Sequence, residues 1–589
     1  MRLVRLTEIP DDASLREQWN TLVSRMDEPQ VFYTWEWAFA VQQAYGSRLC
    51  PLVFLAYDEH ETLCGVAALA TDPAGKRGSF LSATTGDYCD VISAPEYRDS
   101  LVSGVLAELR KQNIDALVFT NLPADSETVA ALEKASKQNQ YYCFMRTAYD
   151  CAQVVFERLE RGRDGKPVAP GKKRVRRFAK AMVSEGRLEV QHHRSWDGVA
   201  PILPQFLRAH VARFLEIGRI SNLADPLRRA FLSELTKVLS RPGWLVLSRM
   251  TIGERPVAWH YGFQFHHTWF WYQPTFDSSV EKHWPGFCLL TEVIEDATEI
   301  PGITNLDLGL GSEAYKAKFA NASRRTLYAM LHRSLVKHWM EIGRYRTALA
   351  FAAHPHIEER VRKWVARTND VKRLFRKSGV RGTLRRLLSR VGAGTAVRNE
   401  VFFFEAPAGA SKDTSATLLP LTFGLLAEGA MRFCDHEETL PYVLRAADRL
   451  REGSAEGFVL VKKDDPTGPL HFAWIKDFER IFLTELNARV PAPTPNSVMI
   501  FDCWTPPAFR GHRYYGLALR LIVEQMRARG KRPWIFSAAR NRSSIRGLED
   551  AGFHVRYSLT RRRLLVWQWI QGTTPTLVET PPVEVSAHV

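Results

Sequence analysis

The stretch that decides the fold of the C-terminal third begins at Ser497, ends at Ala518 and reads SVMIFDCWTPPAFRGHRYYGLA. Its first eight residues form an apolar run typical of a buried strand, and an apolar pattern from about Leu517 to Arg529 has the period of a helix. The loop between them carries arginines and glycines. Strand, loop and helix in this order predict a phosphate site, because the free N–H groups and the dipole of a helix start attract anions.

A second strand and helix follow this element. Trp534 to Ala538 reads as a short strand, and an Asn541-x-x-Ser544 sequence then opens a helix that ends before Gly552-Phe553. The combined pattern resembles the acyl-CoA-binding core of the GNAT superfamily of N-acetyltransferases. The motif of that family is Gln/Arg-x-x-Gly-x-Gly/Ala, followed by a helix, a strand, Asn-x-x-Ser/Ala and Gly-Phe.

The resemblance implies a site for acetyl-CoA or another acyl-CoA as co-substrate. Arg513-x-x-Gly516-x-Ala518 matches the motif, and a second register starts at Arg510-Gly511 and puts Arg513 where a glycine is usual. Both registers remain open. The cofactor-binding residues that the resemblance implies are Arg510, Gly511, Arg513, Gly516, Ala518, Asn541 and Ser544.

One position departs from the family. Many members carry a tyrosine seven residues after the asparagine, as the general acid for the leaving thiolate, and Leu548 stands there in this chain. Either another group or water protonates the thiolate, or this region binds CoA poorly and does no chemistry. Asp502 neighbours the strand expected to lie along the pantetheine, so it is a candidate base acting through water.

The first half of the chain resembles a related family. Trp35-Glu36-Trp37 and Asp87-Tyr88-Cys89-Asp90 are two of its motifs, and the most specific one is the string DLGLGSEAYKAKF from Asp307 to Phe319. Residues 15–330 resemble the CelD/BcsL proteins associated with cellulose biosynthesis, which are similar to the FemAB aminoacyltransferases. The resemblance implies two GNAT-like folds in tandem.

The string from Asp307 also has a physical interpretation. A strand that ends in Gly-x-Gly makes a sharp turn, which gathers Glu313, Lys316 and Lys318 at the mouth of a sheet. Glu313 can take a proton from an amine or hydroxyl nucleophile, and the lysines can hold a phosphate or carboxylate. Asp307, Tyr315, Lys316 and Lys318 are therefore the predicted substrate-binding residues. The alternative is a solvated helix start with Glu and Lys as surface charges.

Charge and composition limit the partners. The chain has 589 residues and a net charge of +16; residues 333–398 hold 17 basic and 4 acidic residues, a net of +13, and residues 157–180 hold 10 and 3, a net of +7. Such patches favour anionic partners. The eight cysteines are scattered without a CxxC pair, which fits a reducing cytoplasm and predicts no metal site. No secretory signal or membrane span is expected.

We therefore expect an α/β chain of the α+β type with three GNAT-like units. The predicted divisions are 1–160 and 161–332 as a FemAB-like tandem, 333–398 as a basic helical connector, 399–575 as a C-terminal GNAT domain, and 576–589 as a disordered tail. The apolar residues of the connector either place the chain on the inner face of an anionic membrane or pack onto the GNAT units.

The expected function is acyl-CoA-dependent acyl transfer, most simply N-acetylation, to an amine or hydroxyl acceptor. The acceptor is a small molecule or a saccharide of exopolysaccharide, cellulose or envelope synthesis. Two other functions remain open: a non-catalytic partner of a polysaccharide synthase, and a FemAB-like transferase that uses aminoacyl-tRNA. The second would need nucleic-acid binding, which is not the favoured interpretation of the basic connector.

Overall fold

The computed structural model describes residues 1–163, 165–311, 313–352, 396–407, 415–564 and 567–572. Two compact units divide the chain: unit 1 contains Met1–Arg213 and Ser221–Ala353, and unit 2 contains Phe214–Ile220 and His354–Val589. Residues 353–395 of the predicted basic helical connector and the disordered tail predicted for 576–589 lie outside the described residues.

Unit 1 is an α+β structure built on one mixed sheet. Its strands are β1 (Arg2–Leu6), β2 (Cys50–Tyr57), β3 (Leu63–Thr71), β4 (Arg77–Phe80), β5 (Ile92–Ser93), β6 (Ala116–Pro123), β7 (Tyr142–Val155), β8 (Leu188–His193), β9 (Leu245–Ile252), β10 (Arg255–Phe265), β11 (Thr268–Phe276), β12 (Asn305–Asp307) and β13 (Ala322–His332). Its helices are α1 (Ala13–Ser24), α2 (Trp35–Tyr45), α3 (Pro95–Lys111), α4 (Thr128–Gln138), α5 (Lys172–Ala181), α6 (Trp196–Val199), α7 (Leu203–Glu216), α8 (Pro226–Ser240), α9 (Pro285–Thr298) and α10 (Leu335–Ala352).

The sheet of unit 1 runs without a break through both predicted halves. Its 13 strands follow the order β1-β2-β3-β4-β6-β13-β7-β12-β11-β10-β9-β8, with β5 paired to β3. The long strand β7 pairs with β13 over most of its length and with β12 at its end. Strand β13, which ends the second half in sequence, therefore completes the sheet of the first half. The predicted division at residues 160 and 161 stays a prediction.

Aromatic residues join the two halves in the core. The Trp37 ring on α2 lies 5.3 Å from Phe263 of β10 and 5.7 Å from Tyr272 of β11, in edge-to-face contacts. Its indole N–H donates to the Thr85 hydroxyl at 3.0 Å. Such pairs contribute about 0.5–1.5 kcal/mol each beyond the area they bury. The aromatic cluster that the sequence places in α2 is therefore an internal contact rather than an exposed face.

The described residues of unit 2 form a second mixed sheet of eight strands and a two-stranded hairpin. Its strands are β14 (Ala396–Glu405), β15 (Ala416–Pro420), β16 (Glu456–Lys462), β17 (Pro469–Asp477), β18 (Arg480–Leu483), β19 (Ala488–Pro491), β20 (Ser497–Trp504), β21 (Arg532–Ala538), β22 (His554–Leu564) and β23 (Trp567–Gln571). Its helices are α11 (Phe423–Arg432), α12 (Thr439–Glu452), α13 (Tyr514–Ala528) and α14 (Arg542–Asp550).

The large sheet of unit 2 has the order β15-β16-β17-β20-β21-β14-β22-β23. Strand β14 lies between β21 and β22, so the first strand of the unit is held near its C-terminal end. Residues 396–398, which the sequence assigned to the connector, are the start of β14. With two mixed sheets covered by helices, the predicted α+β class is confirmed.

Three parallel strand pairs occur in the described residues, and each is joined through a helix. They are β4 with β6 through α3, β11 with β12 through α9, and β20 with β21 through α13. A parallel pair requires such a crossover connection. This element recurs at three places, and the three GNAT-like units expected from the sequence stay a prediction. No helix in the described part of the chain has the length and apolar character needed to span a bilayer.

The place of β13 in the sheet gives a stability test. Leu331 on β13 is fully buried in the core of the first half, so Leu331→Ala should lower the free energy of unfolding by about 2–5 kcal/mol. Leu335→Ala, at an exposed position four residues later, is the matched control and should change it by less than about 0.5 kcal/mol. Urea unfolding of both variants measures this. Equal values would contradict the placement of β13.

Candidate functional site

The main cleft of unit 2 opens where two parallel strands separate. β20 and β21 pair from Ser497↔Arg532 to Ile500↔Ile535, and beyond that point β20 follows β17 whereas β21 follows β14. The resulting cleft has a volume of about 1620 Å³. Its walls are Phe501, Asp502 and Cys503 on one side and Phe536, Ser537 and Ala538 on the other. Separated strand edges offer backbone groups to an extended ligand.

Helix α13 begins at the mouth of this cleft. Its first helical hydrogen bond runs from the Leu517 N–H to the Arg513 carbonyl at 3.1 Å, so the N–H groups of residues 514–516 precede the ladder. Arg513 caps the helix with a φ of 61°, the left-handed conformation in which glycine is usual. This backbone favours the register that starts at Arg510. The geometry suits a bound anion because the helix start is electropositive.

The cleft brings together six of the seven cofactor-binding residues predicted from the sequence. They are Arg510, Gly511, Arg513, Gly516, Asn541 and Ser544. The seventh, Ala518, is fully buried in the core on the other side of α13. The Asn541 side chain accepts from the Ser544 N–H at 3.3 Å and so caps α14.

The Arg510 side chain is hydrogen-bonded to other residues of unit 2. Its guanidinium donates to Glu438 Oε1 at 2.6 Å and to the Thr505 carbonyl at 3.2 Å. These contacts fix the loop that leads to α13. In contrast, the Gly516 position has room, since a Cβ there would meet its nearest atoms at 3.5 Å, an ordinary contact distance.

Asp502 is restrained by two arginines of α12. Arg449 donates to its carboxylate at 2.5 Å and Arg445 at 3.3 Å. Burial raises the pKa of Asp502, but the hydrogen bonds and charges of these arginines outweigh it and the pKa lies below its ordinary value. A carboxylate stabilised in this way is a weak base. Its role as a base through water stays a prediction, and the ion pairs disfavour it.

Tyr515 is a cleft residue that the sequence analysis missed. A Cβ on Gly547 would lie 2.7 Å from the Tyr515 ring, so the glycine leaves the space that the ring occupies. The Tyr515 hydroxyl lies 3.3 Å from the Ser544 hydroxyl, and burial raises its pKa far above the ordinary value. Leu548, by contrast, is fully buried. The Tyr515 phenol lies beside the cleft and keeps its proton; because a raised pKa makes it a weaker acid, its position rather than its pKa favours it as a proton donor.

Unit 1 contains a buried polar cluster where its two halves meet. The Asp307 carboxylate accepts from the Tyr88 hydroxyl at 2.7 Å, the Gln153 amide at 2.9 Å and the Gly309 N–H at 2.7 Å. Asp307 is 2% exposed. These three donors satisfy the charge that burial would otherwise penalise. Asp307 therefore positions the turn at Gly309 and is poorly placed to touch a substrate.

Lys316 stabilises the same turn. Its ammonium donates to the carbonyls of Gly309, Leu310 and Gly311, the shortest at 2.6 Å, and pairs with Glu313 at 2.8 Å. Lys316 is 4% exposed, whereas the Glu313 side chain is 57% exposed. The sequence predicted that Lys316 lies at a sheet edge and holds a substrate anion. In the structure Lys316 is buried, and its ammonium already donates to carbonyls of the chain and pairs with Glu313.

The other two predicted substrate-binding residues lie apart from this turn. Lys318 is exposed, and its ammonium lies 4.9 Å from the centre of the Trp284 ring. Tyr315 packs partly buried against the core of the second half. Of the predicted unit 1 set, Glu313 and Lys318 are therefore the side chains open to a ligand.

Asp87 is a titratable residue of this cluster that the sequence analysis did not select. It is half-buried, and its carboxylate lies against Gly309, where a Cβ would come within 2.5 Å of Oδ2. Burial and the charge of Asp307 raise the pKa of Asp87 to about 7, although Lys316 and Arg228 act in the opposite direction. A carboxyl that titrates near neutrality can exchange protons with a substrate. In the described residues no group of His, Cys, Asp and Glu is arranged to hold a metal ion.

The raised pKa of Asp87 predicts a pH-dependent stability. The folded chain binds the proton more tightly than the unfolded chain, so this contribution is present below the ordinary pKa of 3.8 and is lost as the pH rises through about 7. Relative to Asp87→Asn, the wild type should lose stability between about pH 4 and 7. Urea unfolding across this range measures the difference.

The control for this titration is an exposed carboxylate of the same unit. Asp99→Asn, on α3, removes such a group and should give a difference from wild type that changes little with pH. If Asp87→Asn and Asp99→Asn showed the same dependence, the carboxyl of Asp87 would not titrate near neutrality.

Comparison with known proteins supports one chemical class. Residues 171–317 match the family model described as Acetyltransferase (GNAT) domain. No curated protein matches the chain.

Three solved structures are similar to about half of this chain. FemX is 9% identical with a TM-score of 0.39, over 56% of this chain and 97% of that one. L-PGS from Bacillus licheniformis is 11% identical with a TM-score of 0.34, over 52% and 95%. A tandem GNAT protein from the clavulanic acid biosynthesis pathway is 11% identical with a TM-score of 0.34, over 56% and 97%. Because these scores are below 0.5, the chemical class rests on the family match: residues 171–317 are similar to a GNAT acetyltransferase domain, which supports an acyltransferase.

Proposed function

We propose that the protein is an acyl-CoA-dependent acyltransferase and that the cleft of unit 2 binds the acyl-CoA. The observation that carries this proposal is the geometry of that cleft, in which separated parallel strands open directly in front of the start of α13, where the Arg513 side chain makes no capping hydrogen bond. The family match to residues 171–317 supports the same chemistry from an independent part of the chain.

The two ends of the cleft suit the two ends of the cofactor. The N–H groups of residues 514–516 and the exposed Arg513 guanidinium face the position of the pyrophosphate, whose charge the helix dipole favours. The pantetheine arm runs along the free edge of β20 beside Phe501 and Cys503, where backbone groups can pair with its amides. The acyl group then lies between the separated strands, where less water reaches it.

The reaction needs one bond to form and one to break. The acceptor nitrogen or oxygen attacks the thioester carbonyl, its bond to the acyl carbon forms, and the C–S bond breaks. The sulfur leaves as a thiolate, and we propose that the Tyr515 hydroxyl gives it a proton and regains one from the solvent, which takes up the proton lost by the acceptor. Burial raises the pKa of the Cys503 thiol, so a covalent acyl-cysteine step is disfavoured.

We propose a saccharide as the acceptor of the acyl group. The DLGLGSEAYKAKF string from Asp307 and its likeness to CelD/BcsL proteins support a saccharide amine or hydroxyl of exopolysaccharide, cellulose or envelope synthesis. Acyl-CoA is a cytoplasmic metabolite, so we place the reaction in the cytoplasm.

Unit 1 is the second candidate for the catalytic unit. Residues 171–317 carry the family match, and Asp87 lies against the turn at Gly309 with a pKa near neutrality. In this alternative Asp87 takes the proton of the acceptor, and the cleft of unit 2 serves binding alone.

A charge placed in the cleft tests cofactor binding. Gly516→Glu should abolish binding of acetyl-CoA to the full chain, because a carboxylate would face the pyrophosphate at the helix start. Gly516→Ala is the matched control and should bind within about threefold of wild type, since the Cβ has room. Titration calorimetry measures both. Heat of equal size with Gly516→Glu, or none with the wild type, would exclude this site.

Removal of one hydroxyl tests the proton donor. Tyr515→Phe should lower kcat for acetyl-CoA and a panel of amino sugars by about 10²-fold or more and leave acetyl-CoA affinity unchanged. Tyr514→Phe, the neighbouring phenol, is the control. If Tyr515→Phe keeps full activity and Asp87→Asn loses it, the catalytic unit is unit 1 and not unit 2.

A further inference from the structure

We propose that the outward face of α10 is a docking surface for an anionic lipid bilayer. Four residues define this surface, which we call the α10 apolar patch: Leu335, Val336, Trp339 and Met340. They are 47%, 69%, 59% and 53% exposed. Since residues four apart lie one turn apart, they share one side of the first two turns.

The opposite side of α10 is attached to the sheet of unit 1, which fixes the direction of the patch. The His338 ring lies 5.9 Å from Tyr142 of β7, and the Tyr345 ring lies 5.5 Å from Phe144. The Arg146 guanidinium also lies over the Tyr345 ring, at 5.2 Å from its centre. The helix therefore already has a packed face, so its apolar character on the outer side is not explained by the core beneath it.

A contiguous apolar cluster differs from the single apolar residues normal on a surface. Isolated exposed leucines need no explanation, whereas a cluster that includes tryptophan and methionine marks a contact with another surface. Trp339 is suited to the interface of a membrane, because its ring combines apolar area with a polar N–H.

The charges around the patch select an anionic occupant. Residues 333–350 contain four basic residues, Arg333, Lys337, Arg344 and Arg346, and one acidic residue, Glu341, a net of +3. Lys337 and Arg344 pair with Asp115 and Glu341 only at 3.5 Å and 3.8 Å, with exposed side chains. Exposed pairs of this kind are weak and easily exchanged for another anion.

The combination of apolar residues and cations favours a bilayer over a protein partner. The patch lies on the exposed side of a helix that also carries cations, which is the arrangement of an interfacial helix with its apolar side in the acyl region and its cations at the lipid phosphates. This inference is independent of the acyltransferase proposal, since the patch shares no residue with the cleft of unit 2 or with the Asp87 cluster.

Vesicle flotation of the full chain tests the proposal. The wild type should float with vesicles of phosphatidylcholine and phosphatidylglycerol, bind phosphatidylcholine alone at least about tenfold more weakly, and lose binding as salt rises. The double variant Val336→Glu and Trp339→Glu should reduce binding to the anionic vesicles by at least about tenfold. Val183→Glu is the matched control at another exposed apolar position, 73% exposed, and should bind as the wild type does.

A second variant tests the same proposal in case the glutamate variant misfolds. Replacing Arg333, Lys337, Arg344 and Arg346 by glutamine leaves the apolar patch intact and should weaken binding and flatten its salt dependence. The thermal melt of each variant shows that it is folded. The proposal is overturned if the wild type does not bind the vesicles, as would follow if a second copy or another part of the chain covered the patch. It is also overturned if the glutamate variant binds as strongly as the wild type. Acetyl-CoA calorimetry on the same samples reports separately on the proposed function.

Discussion

A pair of parallel strands needs a crossover helix, and where the two strands part in front of that helix they leave backbone edges unpaired. The clearest case in this chain is β20 and β21, which pair over only four positions before each follows a different neighbour. The separation and the electropositive start of α13 then face the same opening. A ligand with an extended amide chain and an anionic end fits both, so the acyl-CoA proposal follows from one feature of sheet geometry.

Two backbone features determine which side chains line this opening. Arg513 adopts a φ of 61°, which is unfavourable for a residue with a side chain but turns the chain into the helix. Gly547 has no side chain, and the Tyr515 ring occupies the space that a Cβ would fill. A residue at the start of one helix thereby reaches the wall formed by the next. This contact holds the phenol that we propose as the proton donor, in a chain that has leucine at the position where a tyrosine is common in the resembling family.

Unit 1 depends on a different constraint, the cost of buried charge. Asp307 and Lys316 both hold the turn at Gly309: the Asp307 carboxylate accepts from three donors, and the Lys316 ammonium donates to three carbonyls. Burial of such groups is tolerated only when they are paired. Asp87 is the exception in this cluster: burial and the nearby Asp307 carboxylate raise its pKa. The protonation state of Asp87 can therefore change near neutral pH.

The sequence by itself determined the local features: the strand, loop and helix around Arg510 to Ala518, the Asn541 cap of α14, the turn after Asp307 and the α+β class. These depend on neighbours in the chain, on turn chemistry and on apolar period, all of which a sequence displays. Only the tertiary structure decided that β13 completes the first half, that Arg445 and Arg449 restrain Asp502, that Lys316 is buried, and that Asp87 lies against Gly309. The physical reason is that burial, pairing and pKa depend on contacts between residues tens to hundreds of positions apart, and periodicity carries no record of them.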